Sequence, residues 1–271
     1  MEMKSIDQES PFTAPFATVG RIVLDWINDL GALIIFLVRA VVLIFQPKQM
    51  PMIIQQIYFI GAKSATIVML VGLFSGMVLG LQMYHVTVKF GAEGVLGSAV
   101  ALSLIRELGP VLTAIMIVAR AGSSMTAELG ILRISEQIDA LDTMLIDPIR
   151  YLISPRFAAT IISFPLLTAF FDLIGIIGGY FTGVVLLGVN PGIYFNRILV
   201  DVELQDITGG FAKSLVFAVL VCTICCYQGF FTHKRSESRG ARGVSLSTTS
   251  AVVQSCVLIL IADYVVTSLL L

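Results

Sequence analysis

Two adjacent ionisable residues, Arg106 and Glu107, interrupt a long apolar run in the segment ALSLIRELGPVL, residues 101–112. An ionisable side chain inside a membrane span is energetically costly and by default indicates a functional site. Neighbouring residues of an α-helix point about 100° apart, so the two side chains cannot satisfy each other fully and each needs another partner. We predict that the pair faces a cavity or another helix. A purely structural pair, or side chains that snorkel to the outer surface, are the alternatives.

Three more charged residues lie in apolar surroundings. Asp172 and Asp263 could belong to the proton relay of a proton-coupled secondary carrier. Such a carrier would need inverted repeats and polar sites at mid-membrane. No partner at matching depth is evident for either aspartate, which favours local hydrogen bonds between helices. Arg120 lies about four turns beyond Arg106, and there we expect snorkelling or contact with a helix end.

The sequence excludes several kinds of chemistry. It has no G-x-x-x-x-G-K-[ST] phosphate loop and no G-x-S-x-G elbow, so any ATP hydrolysis must come from a separate chain. Cys222 and Cys225 form a C-x-x-C pair within an apolar run, where we expect cysteines to be packing residues. The two histidines, His85 and His233, are not part of a cluster of ligand residue types. We predict no metal site and no cofactor.

A membrane must hold these residues in place. Of the 271 residues, 57% are hydrophobic and only 13% are charged, whereas a soluble domain carries about 25% charged residues. A spanning helix needs about 20 apolar residues. Five runs of the chain meet this length: residues 63–88, 96–127, 157–187, 213–232 and 245–270. The sequence therefore predicts an all-α integral membrane protein with five transmembrane helices.

The N-terminal part differs from these spans. Residues 1–20 form a polar tail without the basic start and apolar run of a cleavable signal peptide. In residues 21–46, Asp25, Asn28 and Asp29 share one helical face and apolar residues cover the other. This pattern predicts a helix that lies in the membrane interface, with a sixth span possible beyond Leu30. Residues 21–271 are expected to form one membrane domain.

Glycines repeat at intervals of four in two of the predicted spans. Small residues at this spacing let two helices approach closely within a bilayer. We therefore expect both glycine faces to pack against other helices. The repeats are Gly72, Gly76 and Gly80 in the first span and Gly175, Gly179 and Gly183 in the third.

The basic residues predict the orientation of the chain. Cytoplasmic loops of membrane proteins carry an excess of lysine and arginine. One set of loops holds most of the basic residues and the other holds only Lys89 and Arg197. We expect the basic set, and with it the N-terminus, on the cytoplasmic side and the C-terminus on the other. The basic set consists of Lys48, Lys63, Arg133, Arg150, Arg156, Lys213, Lys234, Arg235, Arg239 and Arg242.

An acidic amphipathic stretch, SEQIDALDTMLIDPIR at residues 135–150, separates the second and third spans. Ser135 is placed to cap a helix, and Asp147-Pro148 should end it. The stretch is either an ordinary cytoplasmic connector or a short helix that docks into a groove of a soluble partner. The face that would meet the partner is left open. Ile134, Ile138, Leu141 and Leu145 share the apolar face, while Glu136, Asp139, Asp142 and Thr143 lie off it.

Three separate segments resemble the MlaE (YrbE-type) family of ABC transporter permeases. They are ALSLIRELGPVLTA at 101–114, RAGSSMTAELGILRISEQIDALDTMLIDPIRYLISPR at 120–156 and GARGVSLSTTSAVVQS at 240–255. They occur in the family's order, and the resemblance covers essentially the whole chain after residue 20.

The resemblance implies a homodimer in the inner membrane of a Gram-negative bacterium. Its expected partners are a cytoplasmic ABC ATPase (MlaF-type), a STAS-domain protein (MlaB-type) and a periplasmic MCE-domain hexamer (MlaD-type). The assembly would move phospholipid between the inner and outer membranes and maintain outer-membrane lipid asymmetry. Sterol or lipid uptake by a YrbE-type system, a proton-coupled carrier and a membrane anchor without substrate are the alternatives.

The resemblance also implies roles for particular residues. Residues 135–147 match the family's cytoplasmic coupling helix, which contacts the ATPase. Arg106 and Glu107 match the charged pair at the lipid cavity between the two copies, and Leu79, Met83 and Tyr84 would form part of its apolar wall. The implied coupling residues are Glu136, Ile138, Asp139, Leu141, Asp142 and Leu145.

Overall fold

The computed structural model describes residues 14–43, 49–234 and 240–270, and this part of the chain is helical without strands. Most of the predicted polar tail lies outside these ranges, as do Lys48, Arg235 and Arg239, and the side chains of Asp25 and Asp29 are not described either. We number eight helices in chain order: α1 Ala14–Val42, α2 Met50–Lys89, α3 Glu93–Ile134, α4 Gln137–Thr143, α5 Ile149–Leu186, α6 Pro191–Asp201, α7 Leu204–Phe230 and α8 Ala241–Leu270.

Five of these helices (α2, α3, α5, α7 and α8) are long and apolar enough to cross a membrane. The prediction of an all-α integral membrane protein is therefore confirmed. Helix α2 begins at Met50 rather than at residue 63, because the charged Lys63 lies within the helix and does not mark its start. The Lys63 ammonium lies 5.7 and 5.5 Å from the ring centres of Tyr58 and Phe59, so aromatic faces stabilise this charge along the helix.

Helix α1 packs on the bundle through a small part of its surface. Phe36 and Ala40 are buried, and the Phe36 ring lies 5.8 Å from the ring of Tyr227 in α7. Leu24, Ile27, Ile34, Ile35 and Val38 are exposed instead. Its apolar stretch Gly31–Val42 is shorter than a span, so the possible sixth span is not among the five. The interfacial position of α1 stays a prediction.

The glycine faces of α2 and α5 pack directly against each other. A Cβ atom at Gly76 would overlap the carbonyl group of Gly175, and one at Gly72 would lie 2.8 Å from the carbonyl oxygen of Phe171. Gly80 meets Gly179 in the same way, at 3.1 Å. The predicted close contact is confirmed for both repeats. The glycines of α2 meet the backbone of α5, whereas Cβ atoms on Gly175 and Gly183 would first meet Leu104 and Leu96 of α3. Since lipid provides no hydrophobic drive between helices, this backbone contact is a main source of packing energy here.

Helix α3 contains two π-helical turns, Leu104–Leu108 and Val118–Gly122. Such turns are rare and occur frequently at functional sites. The first carries Arg106 and Glu107. The second carries Arg120, whose guanidinium donates hydrogen bonds to the Phe59 carbonyl of α2 and, at 3.2 Å, to the Ser64 hydroxyl. Snorkelling or contact with a helix end was expected for Arg120, but the structure places its contact at a π turn within α2.

Candidate functional site

The π turn at Leu104–Leu108 contains a backbone carbonyl that bonds outside its own helix. Pro110 has no N–H, so one carbonyl of the preceding turn lacks its helical donor. Lys213 of α7 replaces that donor, with its ammonium 2.7 Å from the Arg106 carbonyl oxygen. Gly210, one turn earlier in α7, lies against the Ile105 carbonyl. Because Gly210 has no side chain, α7 can approach closely enough for Lys213 to reach the turn.

Lys213 connects three helices through ionic contacts. Its side chain is only 3% exposed, and its ammonium lies 2.7 Å from Glu107 Oε2 and 3.2 Å from Asp263 Oδ1 of α8. The contact with Asp263 is an ion pair that is not aligned as a hydrogen bond. The Thr267 hydroxyl, one turn beyond Asp263, lies 3.4 Å from Glu107 Oε1. A buried lysine is tolerated only with such charged partners, so Lys213 holds α3, α7 and α8 together.

Arg106 has a partner of its own. Its Nε lies 2.6 Å from Asp206 Oδ1, and the second oxygen of Asp206 accepts a hydrogen bond from the Glu203 backbone N–H at 3.0 Å. Glu203 and Asp206 thereby form the capping box of α7, which fixes the carboxylate that binds Arg106. The prediction that Arg106 and Glu107 each need a further partner is confirmed.

A cavity of about 490 Å³ opens beside this network between α3, α7 and α8. Its polar lining includes Arg106, Glu107, Glu203, Asp206 and Lys213. The Arg106 side chain is 49% exposed and uses Nε for Asp206, so the terminal N–H groups of its guanidinium are available to other acceptors. Such groups suit a phosphate, since arginine binds phosphate through two parallel hydrogen bonds.

The acidic stretch forms a short helix, α4, whose boundaries differ from the predicted 135–147. Glu136 precedes it in a left-handed conformation, with φ 57°, and Leu145 follows it with φ 58°. Ser135 does not cap the helix as predicted, since its hydroxyl donates to the Ile131 carbonyl at 2.8 Å and so belongs to the end of α3. The short helix Gln137–Thr143, about two turns long, is therefore separated from α3 by a sharp backbone bend.

The apolar face predicted for this stretch is only partly formed. Ile138 is fully buried and Leu141 is partly buried. Leu145 lies beyond the end of α4 and is 96% exposed, so its assignment to the same face was wrong. Asp139 and Asp142 are exposed. Helix α4 therefore packs on the protein through Ile138 and presents its acidic side, followed by Leu145, to the outside.

Comparison with known proteins identifies the family. The sequence pattern of the MlaE permeases matches residues 53–269. The chain is 41% identical over 258 residues to the intermembrane phospholipid transport system permease protein MlaE of Haemophilus influenzae. The aligned residues cover 94% of this chain and 96% of that protein. The chain belongs to the MlaE permease family.

Relatives in other organisms show how widely similar proteins occur. A probable ABC transporter permease protein of Rickettsia felis is 41% identical over 253 residues, covering 93% of this chain and 96% of the relative. The chloroplastic protein TRIGALACTOSYLDIACYLGLYCEROL 1 of Arabidopsis thaliana is 36% identical over 215 residues, covering 79% of this chain and 60% of that protein. The resemblance drawn from three motifs is therefore confirmed.

Two assignments of charged residues in this MlaE-family chain were wrong. Lys213 was counted with the cytoplasmic loops, but it lies inside α7, in the buried network next to Arg106. The same lysine is the partner that was missing for Asp263. Asp172 differs, because its Oδ1 is buried beside Gly109 without a hydrogen-bond partner. Among the described residues, no hydrogen bond or ion pair joins Asp172 to Asp263, as a relay would require.

The residues suggested for the apolar wall lie elsewhere in the single MlaE-family chain. Leu79, Met83 and Tyr84 are on α2, partly buried and packed against the main core, and they are not part of the lining of the Arg106 cavity. Lys213, Asp206 and Thr267 are at the cavity but were not predicted. Pro110, three residues after Glu107, is the one sequence signal that could have indicated a free carbonyl in need of a donor.

Proposed function

We propose that this chain is the membrane subunit of an ATP-driven ABC transporter that moves phospholipid between the inner and outer membranes of a Gram-negative cell and maintains outer-membrane lipid asymmetry. One observation carries the proposal. A half-exposed arginine, Arg106, lines a cavity of about 490 Å³ within the membrane domain and is fixed there by Asp206. The name of the Haemophilus influenzae relative assigns intermembrane phospholipid transport to that protein, and this supports the same substrate here.

In this transporter two copies of the chain form a homodimer in the inner membrane, with the N-terminus cytoplasmic and the C-terminus periplasmic. A MlaF-type ATPase with a MlaB-type STAS protein binds on the cytoplasmic side, and a MlaD-type MCE hexamer binds on the periplasmic side. The chain itself carries no ATPase site, so the energy enters from the MlaF-type partner. The basic loops and the ABC permease relatives support this arrangement.

At the cavity, Arg106 donates to the lipid phosphate while Glu107 and Lys213 keep the turn in place. The acyl chains extend away from this polar end along apolar helix surfaces. Leu79, Met83 and Tyr84 lie on α2, outside the single-chain cavity, so they reach the lipid only where the second copy extends the wall. Contact of these three residues with lipid therefore requires the dimer, whereas Arg106 reaches the lipid phosphate within a single chain.

Replacing Arg106 with glutamine should impair lipid transport at least ten-fold, because glutamine removes the charge that attracts phosphate. The test is growth on SDS with EDTA of cells whose only copy carries the change, together with lipid transfer by the reconstituted complex. Arg197, an exposed arginine of α6, gives the control Arg197→Gln, which should behave as wild type. Normal detergent resistance and normal transfer in Arg106→Gln would rule out the proposed phosphate contact.

The ATPase contact is assigned to the outward side of α4. Ile138 anchors the helix on the protein, so Glu136, Asp142 and Leu145 are free to meet the ATPase, and Leu141 lies at the edge between the two sides. Asp139 is also exposed, but one of its oxygens accepts a hydrogen bond from Arg133, so only the rest of this carboxylate is open to the ATPase. An exposed leucine beside carboxylates suits a groove that has an apolar floor and basic rims.

Leu145→Asp should weaken binding of the ATPase about ten-fold or more without unfolding the membrane domain. Aspartate tolerates the left-handed backbone of this position better than leucine does, and the side chain makes few contacts because it is 96% exposed. The measurement is the dissociation constant of the ATPase in detergent. Leu199→Asp, at an 82% exposed leucine of α6, is the matched control. Equal affinity in both variants would exclude docking through this residue.

A further inference from the structure

One arginine at the end of α3 contacts both α4 and the connection between α7 and α8. Arg133 donates from Nη1 to Asp139 Oδ1 at 2.7 Å and from Nε to His233 Nδ1 at 2.9 Å. Its guanidinium also lies 5.6 Å from the ring centre of Phe230 at the end of α7. The Arg133 side chain is mostly buried although it lies at the protein surface. A planar guanidinium with several N–H donors can serve these partners at once, which a lysine cannot do.

Among the described residues, the Arg133–Asp139 pair is the ionic contact between α4 and the rest of the chain, and His233 and Phe230 hold Arg133 in turn. A helix of seven residues has little stability of its own, and α4 is separated from α3 by the left-handed Glu136. Ile138 supplies its buried apolar contact, but one side chain does not fix the rotation of a helix about its axis. The Asp139–Arg133 pair lies one residue further along and sets that rotation.

The contact with His233 depends on protonation. An N–H group of Arg133 can donate to Nδ1 only when that nitrogen carries no proton. An imidazolium would instead place a second positive charge against the guanidinium and remove the acceptor. Histidine is the side chain whose charge changes between pH 5 and 8. Within the part of the chain that the structure describes, the other charged group in contact with Arg133 is Asp139 on α4, while the uncharged rings of Phe230, at the end of α7, and of Phe231, just after it, lie against Arg133 and His233 respectively.

We propose that Arg133 is a positioning residue that fixes the orientation of α4, with unprotonated His233 as its second acceptor. The inference rests on the proposed function, in which α4 is the contact for the ATPase. It adds to that function a specific coupling. Helices α7 and α8 both line the Arg106 cavity, and their connection lies at the cytoplasmic end of these two spans. Through Arg133, this connection fixes the helix that binds the ATPase. Protonation of His233 breaks its hydrogen bond with Arg133, so α4 is then less firmly fixed.

The experiment is hydrogen exchange of the amides of residues 137–143 in the purified protein without partners, at pH 7.5 and pH 5.5, corrected for intrinsic exchange rates. In the wild type, corrected exchange should rise at least five-fold at pH 5.5. Arg133→Gln should raise it at pH 7.5 by a similar factor and remove the dependence on pH. His233→Asn keeps an acceptor at both pH values and should stay protected at both, whereas His233→Lys should resemble the acidic wild type at both. His85→Asn, at the other histidine, should leave the pH dependence unchanged.

The conservative variant separates positioning from folding. Arg133→Lys keeps one donor for Asp139 and should give intermediate protection at pH 7.5, with a smaller dependence on pH than the wild type. A pH dependence that persists in His233→Asn, or unchanged exchange in Arg133→Gln, would overturn the proposal.

Binding of the ATPase, measured on the same variants, distinguishes this failure from failure of the proposed function. Loss of protection of α4 without any change in ATPase affinity would show that α4 is held by Arg133 but is not the docking helix. Unchanged protection together with weaker binding in Leu145→Asp would leave the docking role intact and reject the role of Arg133.

Discussion

Lys213→Met should abolish lipid transport and lower the free energy of unfolding by about 2 kcal/mol. Removing one partner of a buried ion pair costs about 3–5 kcal/mol when the remaining charge stays buried. The carboxylates of Glu107 and Asp263 are 43% and 20% exposed, so water offsets part of this cost. The Arg106 carbonyl also loses its donor. Transport should fail because the π turn that directs Arg106 into the cavity is no longer fixed.

The test combines the unfolding temperature in detergent with the rate of lipid transfer by the reconstituted complex. Lys63→Met, at an exposed lysine of α2, is the matched control and should change neither. The triple variant Lys213→Met, Glu107→Gln, Asp263→Asn removes the unpaired charges, so it should regain most of the stability but not the transport. A triple variant with normal transport would show that this charge network serves the fold alone.

Among the glycines whose surroundings the structure describes, Gly76→Ala should be the most damaging alanine substitution, with a loss of about 3 kcal/mol in stability. The added Cβ would meet the Gly175 carbonyl, which is backbone and cannot rotate away as a side chain would. Helices α2 and α5 must then separate along their glycine faces, and overpacking of this kind costs about 1–3 kcal/mol before lost contacts are counted. The folded fraction in detergent should fall accordingly.

The measurement is the unfolding temperature and the monodisperse fraction on size-exclusion chromatography. Gly31→Ala in α1 is the matched control, because a Cβ at Gly31 meets no atom within 4 Å. Alanine is the better helix former by about 1 kcal/mol, so this variant should be as stable as the wild type or slightly more stable. Equal unfolding temperatures for both alanine variants would contradict the close backbone contact between α2 and α5.

The parts of the fold that follow from composition were predictable from the sequence. Five apolar runs predicted five spans because a bilayer demands apolar length, and glycines at intervals of four predicted close helix contacts because only backbone shape matters there. The partner of each glycine face was not predictable, since Gly72 and Gly76 carry no side chain that could specify one. Which helix packs against a glycine face depends on how all the helices of the bundle are arranged.

The chemistry of the site was predictable only in part. Arg106 and Glu107 stand out because they are charged residues inside an apolar run. Lys213 does not, because it comes just before a charge-free run and so resembles a flanking loop residue. Its burial follows from the π turn and Pro110, and a π turn has no residue signature of its own. Ser135 was misplaced for a related reason: a serine can cap the next helix or bond back to the previous one, and the sequence fits both.

Helix α3 also has the geometry of a lever. Arg106 lies about one third of the way along α3, Arg133 lies at its C-terminal end, and Arg120 is about halfway between these two, some 20 Å from each. The hydrogen bonds of Arg120 to Phe59 and Ser64 of α2 fix that midpoint, so they act as a fulcrum. A tilt of α3 by about 10° around this point would move Arg106 and Arg133 by about 3–4 Å in opposite directions. Force applied to α4 would then reach the cavity through a single rigid helix, and no chain of intermediate side chains would be required.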